Sequence, residues 1–164
     1  MKITGLIEED FCNFKLPSMF ISTSKCDFKC DKECNQKICQ NSILATSPKF
    51  EIDDIKIIKQ YLSNDITEAI VIGGLEPFDT YKETYDFIHK FRQLSNDIIV
   101  IYTGYNPSEI KDILKSLYKF KNIIIKFGRY IPDDLSRYDD ILGITLASSN
   151  QFAMKIEDIQ KQLE

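Results

Sequence analysis

The stretch Ala69-Ile70-Val71-Ile72-Gly73-Gly74 is four apolar residues without alternation, closed by two glycines. A strand facing water on one side would alternate. One that is apolar throughout is buried on both faces, as in a parallel sheet covered above and below. Upstream, Ile55, Ile58 and Leu62 recur at helical spacing, and downstream Tyr81, Tyr85, Ile88 and Phe91 do the same. Ile98 to Tyr102 then repeats the apolar run before Thr103-Gly104. Asn106, followed by Pro107 and by Glu109 three residues on, reads as the cap of a third helix whose apolar face is Ile110, Ile113, Leu114 and Leu117. Asn122 introduces another strand, Ile123-Ile124-Ile125.

Helices alternating with buried strands predict an α/β fold with a mostly parallel sheet. A complete eightfold barrel takes about 250 residues, so at roughly 28 residues per unit this chain makes about five or six strands of a partial (βα) barrel. No repeat, low-complexity tract or linker divides it, so residues 1–164 are expected to form a single domain. In such sheets ligands bind beyond the carboxyl ends of the strands. Here those segments are Ser22 to Cys39, Gly73 to Pro77, Thr103 to Asn106 and Gly128 to Tyr130, and Met19-Phe20-Ile21 is the early core strand that feeds the first of them.

With 43% apolar, 12% aromatic and 28% charged residues, the composition excludes disordered, collagenous and fibrous classes. A net charge of -4 argues against nucleic acid as a partner. Lys115, Lys119, Lys121, Lys126 and Arg129 do interleave with Tyr118, Phe120 and Phe127, but helix and strand periodicity accounts for that alternation. Glu8, Glu9 and Asp10 stand where a secretory signal needs apolar residues, and no apolar run approaches the roughly 20 residues that cross a bilayer. A cytoplasmic protein without membrane spans is expected.

Of five cysteines, four (Cys26, Cys30, Cys34 and Cys39) fall within fourteen consecutive positions. In a reducing compartment such crowding suits a metal centre better than a disulfide framework. The spacing alone leaves two centres open: an iron–sulfur cluster or a closed tetrahedral zinc site. A cluster held by three thiolates keeps one iron free for a ligand, whereas four thiolates close it. Cys12 stands apart and reads as an isolated thiol, and His89 as a surface residue among Lys90 and Arg92. Gly73-Gly74-Leu75-Glu76-Pro77 lets the backbone approach a ligand closely, and Glu76 can accept a hydrogen bond from an ammonium group. The segment has no G-x-G-x-x-G pattern, which disfavours a nicotinamide site.

Several segments, in order, resemble the radical S-adenosylmethionine superfamily, and within it the activating enzymes of anaerobic ribonucleoside-triphosphate reductases. Phe20 to Cys26 is similar to the first strand and first cluster cysteine, and Cys26-Asp27-Phe28-Lys29-Cys30 to the first half of C-x3-C-x2-C. Gly73-Gly74-Leu75-Glu76-Pro77 resembles the glycine-glycine-glutamate motif. Tyr102-Thr103-Gly104-Tyr105, Gly128-Arg129-Tyr130 and Ser148-Ser149-Asn150-Gln151 resemble three further motifs of the activating enzymes. The cysteine motif departs from the pattern, because position 33 is Glu33 where the third cysteine belongs. Cys34 keeps the spacing to within one residue. Cys39 keeps the context, between Ile38 and Gln40-Asn41, and is favoured, with Asp31 to Lys37 read as an inserted turn.

The resemblance implies a 4Fe-4S cluster on Cys26, Cys30 and Cys39, with Cys34 a fourth ligand, a spare thiol or a redox partner. It also implies an S-adenosylmethionine site formed by Phe28, Ile38, Gly73, Gly74, Glu76, Tyr102, Thr103, Gly104, Ser149 and Asn150, with Glu76 on the methionyl amine. Tyr102 and Tyr105 would line the adenosine pocket. The reaction implied is reductive cleavage of S-adenosylmethionine to methionine and a 5′-deoxyadenosyl radical, which removes hydrogen from a glycine of a partner glycyl-radical enzyme resembling an anaerobic ribonucleoside-triphosphate reductase. A flavodoxin or ferredoxin would supply the electron. Two alternatives stay open: a radical enzyme of this superfamily with another substrate, and a non-catalytic module in which four cysteines close an iron–sulfur or zinc site.

Overall fold

In the computed structural model, which describes residues 1–163, the chain begins with β1 (Lys2–Asp10) and returns antiparallel as β2 (Ser18–Thr23). A cysteine-bearing loop follows, containing two short helices, α1 (Lys29–Cys34) and α2 (Ser42–Thr46), neither of which buries a residue. The two-residue β3 (Phe50–Glu51) pairs with β1. Then come α3 (Asp54–Leu62), β4 (Ala69–Gly73), α4 (Tyr81–Phe91), β5 (Ile98–Tyr102), α5 (Lys111–Leu117) and β6 (Ile123–Phe127). A hairpin of β7 (Arg137–Asp139) and β8 (Ile144–Leu146) leads to β9 (Phe152–Lys155) and α6 (Ile156–Leu163).

The sheet order is β3-β1-β2-β4-β5-β6-β9. Its centre, β2-β4-β5-β6, is parallel as the apolar runs require, and β4 is buried at all five positions. The expectation of about five or six strands is corrected to seven, and no hydrogen-bonded pairing of β3 with β9 closes a barrel. The additional strands carry weak signals. β1 is fully buried only at Ile3 and Asp10, because it lies outside the parallel centre, and β9 is four residues long.

Side chains from alternate positions of β4 enter two separate cores. Ile70 and Ile72 pack with the helices, against Ile57, Ile58, Phe87 and Phe91. Ala69 and Val71 pack on the other face with Phe14, Leu142 and Leu146. Both faces are therefore covered, but the second by a loop and the β7–β8 hairpin rather than by helices. The helix faces are also rotated from the expected ones. In α3, Ile57, Ile58 and Tyr61 are buried while Ile55 and Leu62 are exposed, and Asp53 caps the helix by accepting from Ile55 N and Lys56 N at 2.7 and 3.2 Å. Asn106 begins a short 3₁₀ turn (Pro107–Glu109) whose Glu109 carboxylate accepts the Asn106 amide at 2.8 Å, and α5 starts only at Lys111. Among the described residues, no helix is long and apolar enough to cross a membrane.

Candidate metal centre

The loops that follow β2, β4, β5 and β6 emerge at one edge of the sheet because those strands are parallel. Hydrogen bonds tie them together. The Glu76 amide donates to Lys25 O at 2.9 Å, and Asp79 accepts from Asp27 N at 2.7 Å and from the Tyr105 hydroxyl at 2.6 Å. The β4 loop is thus bonded on one side to the cysteine loop and on the other to Tyr105.

Within the cysteine loop, Cys26 Sγ accepts the Phe28 amide at 3.3 Å, and Asp27 accepts the Lys29 amide at 3.2 Å. Phe28 sits at φ 55, a left-handed conformation that is uncommon for a bulky residue. That turn starts α1, whose first residues include Cys30. Asn35, at φ 50, ends the helix. The Asp31 carboxylate then accepts the amides of Ile38 and Cys39 at 2.9 and 2.8 Å, folding the intervening residues into a closed turn.

The result is a cavity of about 370 Å³ lined by Cys26, Cys30 and Cys39 on the loop side and by Gly74, Glu76 and Gly104 on the sheet side. Cys34 lines neither this cavity nor the small one beside it. All five cysteines are free thiols. A zinc ion with four sulfurs at about 2.3 Å holds them about 3.8 Å apart. Among the described residues no three cysteine sulfurs lie within 4.8 Å of one another, whereas Cys26, Asp27 and Asp79 do bring three donor atoms that close. A Cβ at position 104 would fill space beside the cysteines in ordinary van der Waals contact, 3.5 Å from Arg129 Cγ, 3.7 Å from Glu76 Oε2 and 3.9 Å from Cys30 Sγ. The donor set and the space both fit a 4Fe-4S cluster.

Burial pushes the Cys26 thiol up to about 12, with the nearby Glu76, Asp79 and Cys39 adding to it against the Phe28 hydrogen bond. Cys30 and Cys39 are raised as well, chiefly by burial. These sulfurs stay protonated until a metal displaces the proton, so cluster assembly releases protons. Glu76 is buried, and its carboxyl accepts from Phe78 N at 3.1 Å, Thr103 Oγ1 at 2.8 Å and Gly104 N at 2.9 Å. Three donors favour the carboxylate, yet burial outweighs them and pushes the group up to about 7.

Of the residues expected to bind a cofactor, Gly74, Glu76, Tyr102, Thr103 and Gly104 line the cavity. Phe28, Ile38 and Gly73 do not line it: Phe28 forms the turn before α1, the Ile38 amide donates to Asp31, and the Gly73 carbonyl accepts from Thr23 Oγ1 at 3.2 Å. Ser149 hydrogen-bonds Asp134, and the Asn150 side chain donates to Arg129 O; neither reaches the cavity. Gln151 does, held by the amides of Ala147 and Ser148 and donating to Gly128 O at 3.2 Å. Tyr105 lines the small cavity instead. Cys12, taken alone an isolated thiol, lines the large cavity from the β1–β2 loop.

Lys126 was also not foreseen as a site residue. Opposite Tyr102 in the sheet register and 8% exposed, it lines the cavity with Nζ donating to Gly128 O at 3.0 Å. Its signal was a lone lysine inside an otherwise apolar strand, a place where a solvated lysine does not fit.

No curated protein and no solved structure matches the chain. The family model described as a 4Fe-4S single cluster domain matches residues 17–152. That stretch runs from the entry to β2 as far as β9 and includes all four loop cysteines and the loops around the cavity other than the β1–β2 loop that carries Cys12. The chain belongs to the 4Fe-4S single cluster domain family.

Proposed function

We propose that this is a cytoplasmic radical S-adenosylmethionine enzyme of the activating type, with Cys26, Cys30 and Cys39 as the cluster ligands and Cys34 free. One observation carries the reading: three of the four loop cysteines line a single cavity, the fourth does not, and the same cavity is lined by Gly74, Leu75, Glu76, Thr103 and Gly104. When bound, the cluster supplies the electron that cleaves S-adenosylmethionine, and the resulting 5′-deoxyadenosyl radical takes hydrogen from a glycine of a partner glycyl-radical enzyme similar to an anaerobic ribonucleoside-triphosphate reductase. Glu76 accepts the methionyl ammonium, and Lys126, which with Arg129 is a buried cation of the cavity wall, offers its ammonium to an anionic group. Gly74 and Gly104 keep the sheet edge free of side chains, so the ligand meets backbone. A flavodoxin or ferredoxin delivers the electron.

The test is anaerobic reconstitution with iron and sulfide, reduction with dithionite in the presence of S-adenosylmethionine, and assay for 5′-deoxyadenosine. The expected outcome is product with wild type and with Cys34→Ala, and none with Cys39→Ala. A stable four-iron cluster that needs all four cysteines and yields no product would instead establish a closed, non-catalytic site.

A further inference from the structure

Arg129 occupies the seam between the two cavities, each of which it lines together with Cys26, Cys30, Glu76 and Gly104. Its side chain is 9% exposed and is divided among several partners. Nη1 and Nη2 donate to the two carboxylate oxygens of Glu109 at 2.9 and 2.7 Å, a bidentate fork that fixes the plane of the guanidinium. Nε lies 3.3 Å from Glu33 Oε1, close enough for a charge contact but without hydrogen-bond alignment. The Tyr105 ring is 5.6 Å from the guanidinium carbon.

The two carboxylates are not equivalent. Glu109 lies on the sheet-side loop and is half covered, whereas the Glu33 side chain is 58% exposed and stands on α1, three residues after Cys30. Glu33 also holds the place that C-x3-C-x2-C gives to the third cysteine. Arg129 and Cys30 are neighbours: a Cβ placed on Gly104 would stand 3.5 Å from Arg129 Cγ and 3.9 Å from Cys30 Sγ. A fixed cation, with Glu33 as counter-charge, therefore stands beside one sulfur.

We propose that Arg129, opposed by Glu33, sets the reduction potential of the cluster by acting through Cys30. The inference rests on the reading of Cys30 as a ligand. Arg129 is a positioning and electrostatic residue here, not a ligand. One-electron reduction, with dithionite as donor, adds a negative charge to the cluster and changes no bond to Arg129. A buried guanidinium beside one thiolate stabilises that added charge, and hydrogen bonds to the sulfurs and net charge are the levers that move cluster potentials. Glu33 offsets part of the same field.

The experiment is a redox titration of the anaerobically reconstituted protein, with the midpoint read from the electron paramagnetic resonance signal of the reduced cluster. Arg129→Gln shifts the midpoint to more negative values, Glu33→Gln shifts it to more positive values, and Arg129→Lys falls between wild type and Arg129→Gln. Identical midpoints, or shifts of the same sign in the first two variants, overturn the proposal. If Arg129→Gln does not load a cluster, Glu33→Gln decides alone, since its exposed carboxylate can be neutralised without disturbing the core. Failure of the ligand reading is separately visible: Cys30→Ser would then leave iron and sulfide content at the wild-type level.

Discussion

Asp31 and Cys39 are joined by a hydrogen bond across eight residues of sequence: the Asp31 carboxylate accepts the Cys39 amide at 2.8 Å, and the same oxygen accepts the Ile38 amide at 2.9 Å. This staple returns Cys39 to the cavity and leaves Cys34 outside it. Hydrogen bonds to a charged acceptor contribute about 1.5–3 kcal/mol each when shielded, less at a partly exposed site like this one. Asp31→Ala is expected to lower the iron retained per chain after desalting several-fold. The urea midpoint should hardly move, because α1 and α2 bury nothing in the core. Iron retention equal to wild type would show that something else positions Cys39.

Glu76 gives stability and ligand binding opposite pH dependences. Its carboxyl titrates at about 7 in the folded chain against 4.5 ordinarily, burial being the main cause. Between those values the folded chain holds a proton that the unfolded chain has lost. The contribution is therefore full below about 4.5 and is lost as pH rises through 7, a change of at most about 3 kcal/mol. Urea midpoints of the metal-free protein should fall between pH 5 and 7.5, and the fall should be largely absent in Glu76→Gln. The proposed contact of the Glu76 carboxylate with the methionyl ammonium predicts that S-adenosylmethionine binding tightens over the same interval. Parallel stability profiles for the two proteins would exclude Glu76 as the titrating group.

The sequence was most informative where burial is uniform. Ala69 to Ile72, Ile98 to Tyr102 and Ile123 to Ile125 could only be interior parallel strands, and their order located the ligand edge. β1 was not legible because its mixed burial leaves no clean period, and α3 was turned because Ile55 and Ile58 fit a helical stripe as well as Ile57 and Ile58 do. At the site, the cysteines and Gly74-Leu75-Glu76 were found as local motifs. Lys126, Gln151 and Cys12 required knowledge of which loops meet; Cys39 was favoured on its context, but the Asp31 staple that returns it to the cavity is contained in no spacing rule.

Gly74 tests whether the sheet edge needs bare backbone. Its φ is +80, and a Cβ there would stand 2.1 Å from Ser22 Oγ and 3.1 Å from the Ser22 backbone Cα. Left-handed strain costs about 1–3 kcal/mol, and the clash adds a similar amount. Gly74→Ala should therefore lower unfolding free energy by about 2–6 kcal/mol in urea titration. At Gly5 a Cβ meets only Ser22 Cβ, at 3.8 Å, so Gly5→Ala should change it by less than about 0.5 kcal/mol. Equal effects at the two positions would refute the account of Gly74.

Lys126 should behave as a residue kept for binding at the expense of stability. Burial pushes its ammonium down to about 8, against 10.5 ordinarily, with Cys30 and Glu76 pulling weakly the other way. The folded chain gives up this proton more readily than the unfolded chain, so stability rises with pH between about 8 and 10.5 and is lowest below 8. At pH 7 the buried charge costs at most about 3 kcal/mol. Lys126→Met removes that cost and keeps the aliphatic bulk, and the Gly128 carbonyl retains the Gln151 amide at 3.2 Å. The urea midpoint at pH 7 should rise, while S-adenosylmethionine binding by equilibrium dialysis weakens at least tenfold as the cavity keeps only Arg129, already paired with Glu109, as a buried cation. A variant both less stable and unaltered in binding would mean that the ammonium serves the fold through Gly128 and not the ligand.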